Sequence, residues 1–325
     1  MEQNIKSRVI GVDISVKSTT YAIVDVRGNI IAQENFRTSD YPNVNEYVSV
    51  LSEKIVMFAE SNGGYETIRS MGISAPSANF LTGCIENAAN LPWKGVVPLA
   101  AMLRDRLGMA VALGNDAHVT ALGEYTFGSA HGMKNFLVVT LGHGIGSCIF
   151  SDGVPHLGVD GFAGEVGHAC VEANGRDCGC GRRGCLEAYA AEKGIIATAR
   201  ELMEQSDKSS IMRSLDALTP RSIVECCEKG DEMAIEVYRR TGDILGRIVA
   251  NYASLMDPEA IIFTGGISNA GKWLFEPAHQ AFESHVFHHL QGKVKFLQST
   301  INDRVRDVLG ASALAWGIKE YSLFK

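Results

Sequence analysis

A three-strand pattern occurs twice in this chain, and it restricts the fold more than any other feature. Residues 8–36 read as RVIGVDI, TTYAIVDV and IIAQENF, three apolar or β-branched runs with a turn at Arg27-Gly28-Asn29 before the last. Residues 135–159 repeat the form: NFLVVTL, a turn at GHGIG, SCIF, a turn at Asp152-Gly153, then a short run through Val154. Alternating helix and strand patterns follow each repeat. After the first, Asn43 can cap a helix that sets Val44, Val48, Leu51, Ile55 and Phe58 on one face. Strand TIRSMGIS comes next, then a helix from Pro98 through Leu107, strand MAVAL, and a helix from Asn115-Asp116 to about Phe127. After the second, helices are expected near 186–205, 220–229, 231–256 and 272–289, with strands AIIFTGG and VKFL and a last helix from about 305 to 323. Two βββ units, each continued by alternating α and β elements, imply two α/β domains with a cleft between them. At 325 residues the chain is long enough for both cores. Asp116 falls near the expected junction.

The segment Glu165–Glu187, EVGHACVEANGRDCGCGRRGCLE, gathers His168, Cys178, Cys180 and Cys185 within eighteen residues. Thiolate sulfur and neutral imidazole are the ligands zinc prefers, and four of them close a tetrahedral site. Cysteines separated by a single glycine are poorly placed to bond to each other. Arg182 and Arg183 add positive charge that favours thiolate. The plainer alternative is a glycine-rich loop holding free thiols. A closed Cys3His site has no open position, so its zinc would be structural, and it would fix Glu165 and Glu187 beside it. Two fixed acceptors suit a polyhydroxylated ligand.

Glycines mark the phosphate candidates. Gly142, Gly144 and Gly146 occupy the first turn of the second repeat, where bare backbone N–H groups can approach an anion. A tight hairpin is the plainer alternative. Gly265-Gly266 after AIIFT is either a turn against which a nucleotide lies or a plain strand-to-helix turn. Asn115-Asp116 can cap a helix, and an acid at a cleft can also accept a proton from a substrate hydroxyl.

Composition narrows the partners. A net charge of −7 without a basic tract argues against binding nucleic acid by phosphate neutralisation. No window reaches the length of a membrane span, and the N-terminus lacks signal-peptide features. Three of the eight cysteines belong to the candidate metal ligands. Cys84, Cys148, Cys170, Cys226 and Cys227 show no disulfide framework, which suits a reducing cytoplasm.

GVDI at 11–14, GNDA at 114–117, GHGIG at 142–146, FAGEVGH at 162–168, CGCGRRGCLE at 178–187 and DPEAIIFTGGIS at 257–268 appear in one order. This set resembles the ROK family of sugar kinases and repressors, and most of all its bacterial glucokinases. The resemblance covers nearly the whole chain and implies the two-lobed, actin-like (ribonuclease H-like) α/β sugar kinase fold with an interdomain cleft. One lobe would comprise residues 1–115 plus about 303–325, and the larger one residues 116–302 with the zinc segment. It implies ATP-dependent phosphorylation of a hexose, glucose first, at the 6-hydroxyl, with Asp116 as general base. N-acetylhexosamines are alternative substrates. Asn79, Asn90, Asn115, Glu165, His168 and Glu187 would contact the sugar, with His168 also on zinc. Asp13, with Mg²⁺ nearby, Lys17, Gly142, His143, Gly144, Gly146, Gly265 and Gly266 would face ATP. A homodimer is expected, and a DNA-binding domain is not, because the first strand begins by about Arg8. The chain departs from the family at Ser15-Val16-Lys17, where two glycines and a threonine are usual. It departs again at His143 in place of threonine, at His118 in place of asparagine, and near Ser77 in place of glycine. Except for the one near Ser77, which lies in the sugar-side loop, these changes gather on the phosphate side, and they leave a sugar-binding pseudokinase as the second reading.

Overall fold

The computed structural model describes residues 6–318, and the expected helical residues 319–323 lie outside them. The chain divides into two compact units, residues 1–132 with 157–163 and 300–325, and residues 133–156 with 164–299. The boundary expected at Asn115/Asp116 therefore falls inside the first unit. The helix that starts at Asp116 packs on the C-terminal helix of that same unit.

In chain order the first unit contains β1 (Arg8–Ile14), β2 (Ser18–Asp25), β3 (Ile30–Arg37), α1 (Val44–Ser61) and β4 (Ile68–Ser74). Three very short strands follow, β5 (Ala78–Asn79), β6 (Cys84–Glu86) and β7 (Val96–Val97), then α2 (Leu99–Leu107), β8 (Ala110–Gly114) and α3 (Asp116–Phe127). The second unit has β9 (Phe136–Leu141), β10 (Ile145–Ser151), β11 (Val154–Pro155), α4 (Glu187–Ala190), α5 (Glu192–Gln205), α6 (Pro220–Glu228), α7 (Glu232–Met256), β12 (Ala260–Thr264), α8 (Lys272–His285) and β13 (Lys295–Gln298). The C-terminal helix α9 (Arg306–Trp316) returns to the first unit.

The two main sheets share one plan. The orders are β3-β2-β1-β4-β8 and β11-β10-β9-β12-β13. In each, the first three strands run antiparallel and the last two join parallel to the centre. The repeat read from the sequence is thus a repeat of architecture.

Side-chain alternation explains how the first sheet is covered on both faces. Ile10, Val12 and Ile14 of β1 join one core with Tyr47, Leu51 and Ile55 of α1. Val9, the alternate neighbour, packs with Val308 and Leu309 of α9. Glycine is required on that second face. A Cβ at Gly11 would lie 2.2 Å from the Val308 carbonyl oxygen, and one at Gly72 would lie 2.0 Å from that of Ala311. Ser70, two residues before Gly72, donates to the Ala315 carbonyl oxygen at 3.0 Å. The helix therefore runs along β1 and β4 with its first turn toward their C-terminal ends.

One expected helix is broken. Residues 186–205 form α4 and α5, separated at Ala191, which is extended (φ −83°, ψ 173°). The break turns the Glu192 N–H outward, where it donates to the Gly142 carbonyl oxygen at 3.0 Å.

Candidate functional site

In the first unit, register brings the acidic candidates to one edge of the sheet. Asp13 pairs with Ser74, and Ser74 with Gly114, so the ends of β1, β4 and β8 line up just before Asn115-Asp116. The C-terminal ends of parallel strands are where open α/β sheets bind ligands. Asp13 follows Val9 and Gly11 on the α9 face, so it shares a face with the first turn of α9. Burial, reinforced by Asp307, raises the Asp13 carboxyl to about 7, and Asp116 adds to the rise. The Asp116 carboxylate is accessible to solvent yet crowded by protein. That crowding, with Asp307 contributing, lifts its pKa despite a 2.9 Å hydrogen bond from the Ala117 N–H. Arg306 lies between Asp303 at 2.5 Å and Asp307 at 3.3 Å. Asp307 and Arg306 were missed in the sequence because nothing local marks them.

Ser74 Oγ faces this group and is buried. It is near enough to Asp13 to favour its ionised form but has no partner at hydrogen-bonding geometry. Asp13, with Asp307 and Asp116 near enough to raise its pKa, offers oxygen donors of the kind that hold Mg²⁺.

Asn115 takes the capping role open to it. Its Oδ1 accepts the His118 N–H at 2.8 Å as the cap of α3, while Nδ2 is not used by the cap. Asn90 is exposed between β6 and β7. Asn79 departs from expectation. It is 3% exposed, its Oδ1 accepts from the Leu81 N–H, and its Nδ2 donates to the Asp160 carbonyl oxygen, both at 2.9 Å. It clamps two loops rather than presenting an amide to a ligand. Ser77, in the same region, holds a left-handed backbone with φ 55°.

The segment around Lys17 is a closed turn. Ser15 N–H and Oγ both donate to the Ser18 carbonyl oxygen at 2.9 Å, and Ser18 N–H donates back to Ser15 Oγ at 3.1 Å. No residue of 15–18 has positive φ, so the missing glycines reflect a different turn that does not need them. Lys17 is exposed at its tip.

In the second unit, the ligand atoms of His168, Cys178, Cys180 and Cys185 all lie within 4.8 Å of one another. Cys180 and Cys185 sulfurs are 3.7 Å apart, and Cys178 Sγ is 3.8 Å from His168 Nδ1. Bonds of about 2.3 Å to a tetrahedral ion would set sulfurs about 3.8 Å apart, far beyond the roughly 2 Å of a disulfide. The donor set fits zinc. Gly184 is obligatory here, since its φ is 71° and a Cβ would lie within contact of the Glu172 carbonyl oxygen. The arginines do less than expected. Arg183 pairs with Asp177 at 2.8 Å, and burial pushes the Cys185 thiol up to about 12 and raises Cys178 as well. Only Cys180 is held below its ordinary value, chiefly by the Arg182 N–H. A cation is what would hold the buried pair as thiolates.

Glu165 is exposed and leads into the turn that carries His168. Glu187 is half-buried, and its Oε2 accepts the Ile145 N–H at 2.9 Å. That contact revises the glycine loop. Leu141 pairs with Ile145 and Thr140 with Gly146, so Gly146 is in the ladder and the turn is Gly142-His143-Gly144. A Cβ at Gly144 would meet Glu187 Oε2 at 2.7 Å, so this glycine makes room for a carboxylate. His143 is exposed and pairs with Glu192. Beside the turn, Thr140 Oγ1 is buried without a partner. Gly265 has φ 89° and sits against the Leu141 carbonyl oxygen, whereas Gly266 faces open space. A cavity of about 380 Å³ adjoins Gly266, lined by Val224, Tyr238, Ile267 and Asn269 among others.

These features agree with what the chain is similar to. The ROK family profile matches residues 9–317. A glucokinase of Thermotoga maritima is 30% identical over 313 residues, 95% of this chain and 97% of that protein. A xylose repressor of Caldicellulosiruptor bescii is 27% identical over 94% of this chain and 77% of its own length. A crystal structure of a ROK family glucokinase from Streptomyces griseus, in complex with glucose and AMPPNP, superposes with a TM-score of 0.73 at 27% identity, covering 95% and 99% of the two chains. Repeated sheets, metal-ligand cluster and profile match converge on one conclusion: with the two-domain, actin-like ribonuclease H-like fold, this chain belongs to the ROK family.

Proposed function

We propose that the chain transfers the γ-phosphoryl group of ATP to the 6-hydroxyl of a hexose, glucose first among them, with Asp116 as general base. The observation that carries this reading is the carboxylate of Asp116 itself. It opens α3, remains accessible, and has a raised pKa through crowding and Asp307. A base that works near neutral pH needs such a shift. Bound MgATP supplies the electrophilic phosphorus and neutralises charge in the transition state.

Asp116 takes the hydroxyl proton, and Asn115 orients the sugar through the Nδ2 that its capping bond leaves available. Glu165, Glu187, Asn90 and the second nitrogen of His168 accept or donate to the remaining hydroxyls. Asp13 holds Mg²⁺ with its neighbours at the strand ends. Lys17, the 142–144 turn and Gly265-Gly266 face the nucleotide, and the cavity beside Tyr238 suits its base. The His168–Cys185 cluster holds a structural zinc, since four protein ligands leave no position for substrate. Eight free thiols suit a reducing cytoplasm. The family resemblance supports a homodimer.

The test is a coupled assay over glucose, N-acetylglucosamine and N-acetylmannosamine. Asp116→Asn should lower kcat at least about 10³-fold without lowering the melting temperature. A variant that turns over at the wild-type rate overturns the assignment of the base. The closed Ser15–Ser18 turn favours a second reading, a sugar-binding member without turnover. Glucose binding by calorimetry without phosphorylation of any sugar would establish it.

A further inference from the structure

We propose that Glu187 is a positioning residue for the Gly142–Ile145 turn, and that through it the His/Cys cluster sets the geometry of that turn. Glu187 stands two residues beyond Cys185 and opens α4. One carboxylate oxygen accepts the Ile145 N–H at 2.9 Å, and the other lies 3.8 Å from Cys178 Sγ. The same carboxylate covers Gly144, where a Cβ would meet Oε2 at 2.7 Å and push the carboxylate aside. Five residues on, Glu192 donates its N–H to the Gly142 carbonyl oxygen at 3.0 Å and pairs its side chain with His143. Gly142, His143, Gly144 and Ile145 are thus all held by the segment Glu187–Glu192.

That segment is in turn fixed at two points. Cys185 ties its start to the cluster. Arg176 donates to the Ala188 carbonyl oxygen at 3.1 Å and to that of Gly194 at 2.9 Å, and lies over the Tyr189 ring at 4.6 Å. A carboxylate accepting a backbone N–H is a charge-assisted bond, and its loss leaves that N–H unpaired. The Ile145 N–H is therefore committed to Glu187 and is not an anion ligand. Releasing Cys185 frees the start of α4, and the turn loosens with it.

Amide exchange by mass spectrometry on peptides covering Gly142–Ser147 tests this. In metal-loaded protein, Glu187→Ala should raise exchange there at least fivefold. Glu187→Gln, whose amide oxygen can still accept, should restore most of the protection. Stripping the metal from wild type should loosen the same peptides while β12 keeps its protection. Unchanged exchange in Glu187→Ala overturns the positioning role, and unchanged exchange in stripped protein overturns the link to the cluster. Should stripping also melt β12, the Ala and Gln variants in loaded protein still decide the positioning role, and the link to the cluster fails as a local effect. Use of the turn for phosphate rests on the kinase reading, but exchange at Ile145 does not, so the two can fail separately. In a protein that does turn over, Glu187→Ala should also raise the KM for ATP by more than Glu187→Gln does.

Discussion

Asp13 is held where an ionised carboxylate is disfavoured. Alternation along β1 sends it to the face that α9 covers, beside Asp307, and its pKa rises to about 7. A folded-state value above the unfolded one near 3.8 means the folded chain binds this proton more tightly. The ionised form therefore costs stability in full above about pH 7, and the cost is relieved as pH falls toward 4. Without added magnesium, Asp13→Asn should stabilise the protein at pH 8 by about 1–2 kcal/mol. The gain should shrink as the pH is lowered to 5. Thermal melts at the two pH values check it, and a variant less stable than wild type at pH 8 would refute the burial argument. Which residues matter was only partly legible in the sequence. The cluster from His168 to Cys185 is local and could be read from spacing alone. Asn115 was ambiguous because capping and ligand binding use the same side chain, and the structure uses one end of it for the cap. Asn79 and Glu187 have partners 81 and 42 residues away, and Asp307 meets Asp13 only once α9 has packed. No window of sequence contains such pairs.

At the scale of elements, two glycine positions separate packing from ligand approach. Gly72 lets α9 lie directly on β4, where a Cβ would be 2.0 Å from a carbonyl oxygen, and neither backbone can yield cheaply. Gly72→Ala should destabilise the protein by about 2–3 kcal/mol, measured by denaturant unfolding. Gly266 has nothing within 4 Å of where its Cβ would stand, so Gly266→Ala should change stability by less than about 0.5 kcal/mol. Its effect, on the kinase reading, is confined to nucleotide binding. Equal stability losses at both positions would contradict the contrast. Both βββ units and the long helices were visible in the sequence because their apolar periodicity runs over many residues. The break at Ala191 was not, since residues 186–205 keep helical spacing across it and only the bond from Glu192 to Gly142 shows why it bends. Nor were β5, β6 and β7, whose two or three residues are too few for any period.

At the scale of the molecule, the two units differ in how the chain assembles them. The second is nearly continuous, interrupted only by residues 157–163, whereas the first is drawn from three separate stretches. Its last stretch contains α9, which covers one face of β1 and β4 and leaves Gly11, Gly72 and Ser70 bare when absent. A chain ending at Ser299 should keep native protection in β9 and β12 but lose it in β1 and β4. Hydrogen exchange on the truncated protein would show this, and protected β1 strands there would contradict it. The same feature sets an order of events on the ribosome. Strands β1 to β4 are made before the second unit, and their covering helix α9 only after it. Vectorial synthesis therefore leaves this sheet uncovered while the whole second unit is made, and its apolar face is what a chaperone would meet in the meantime.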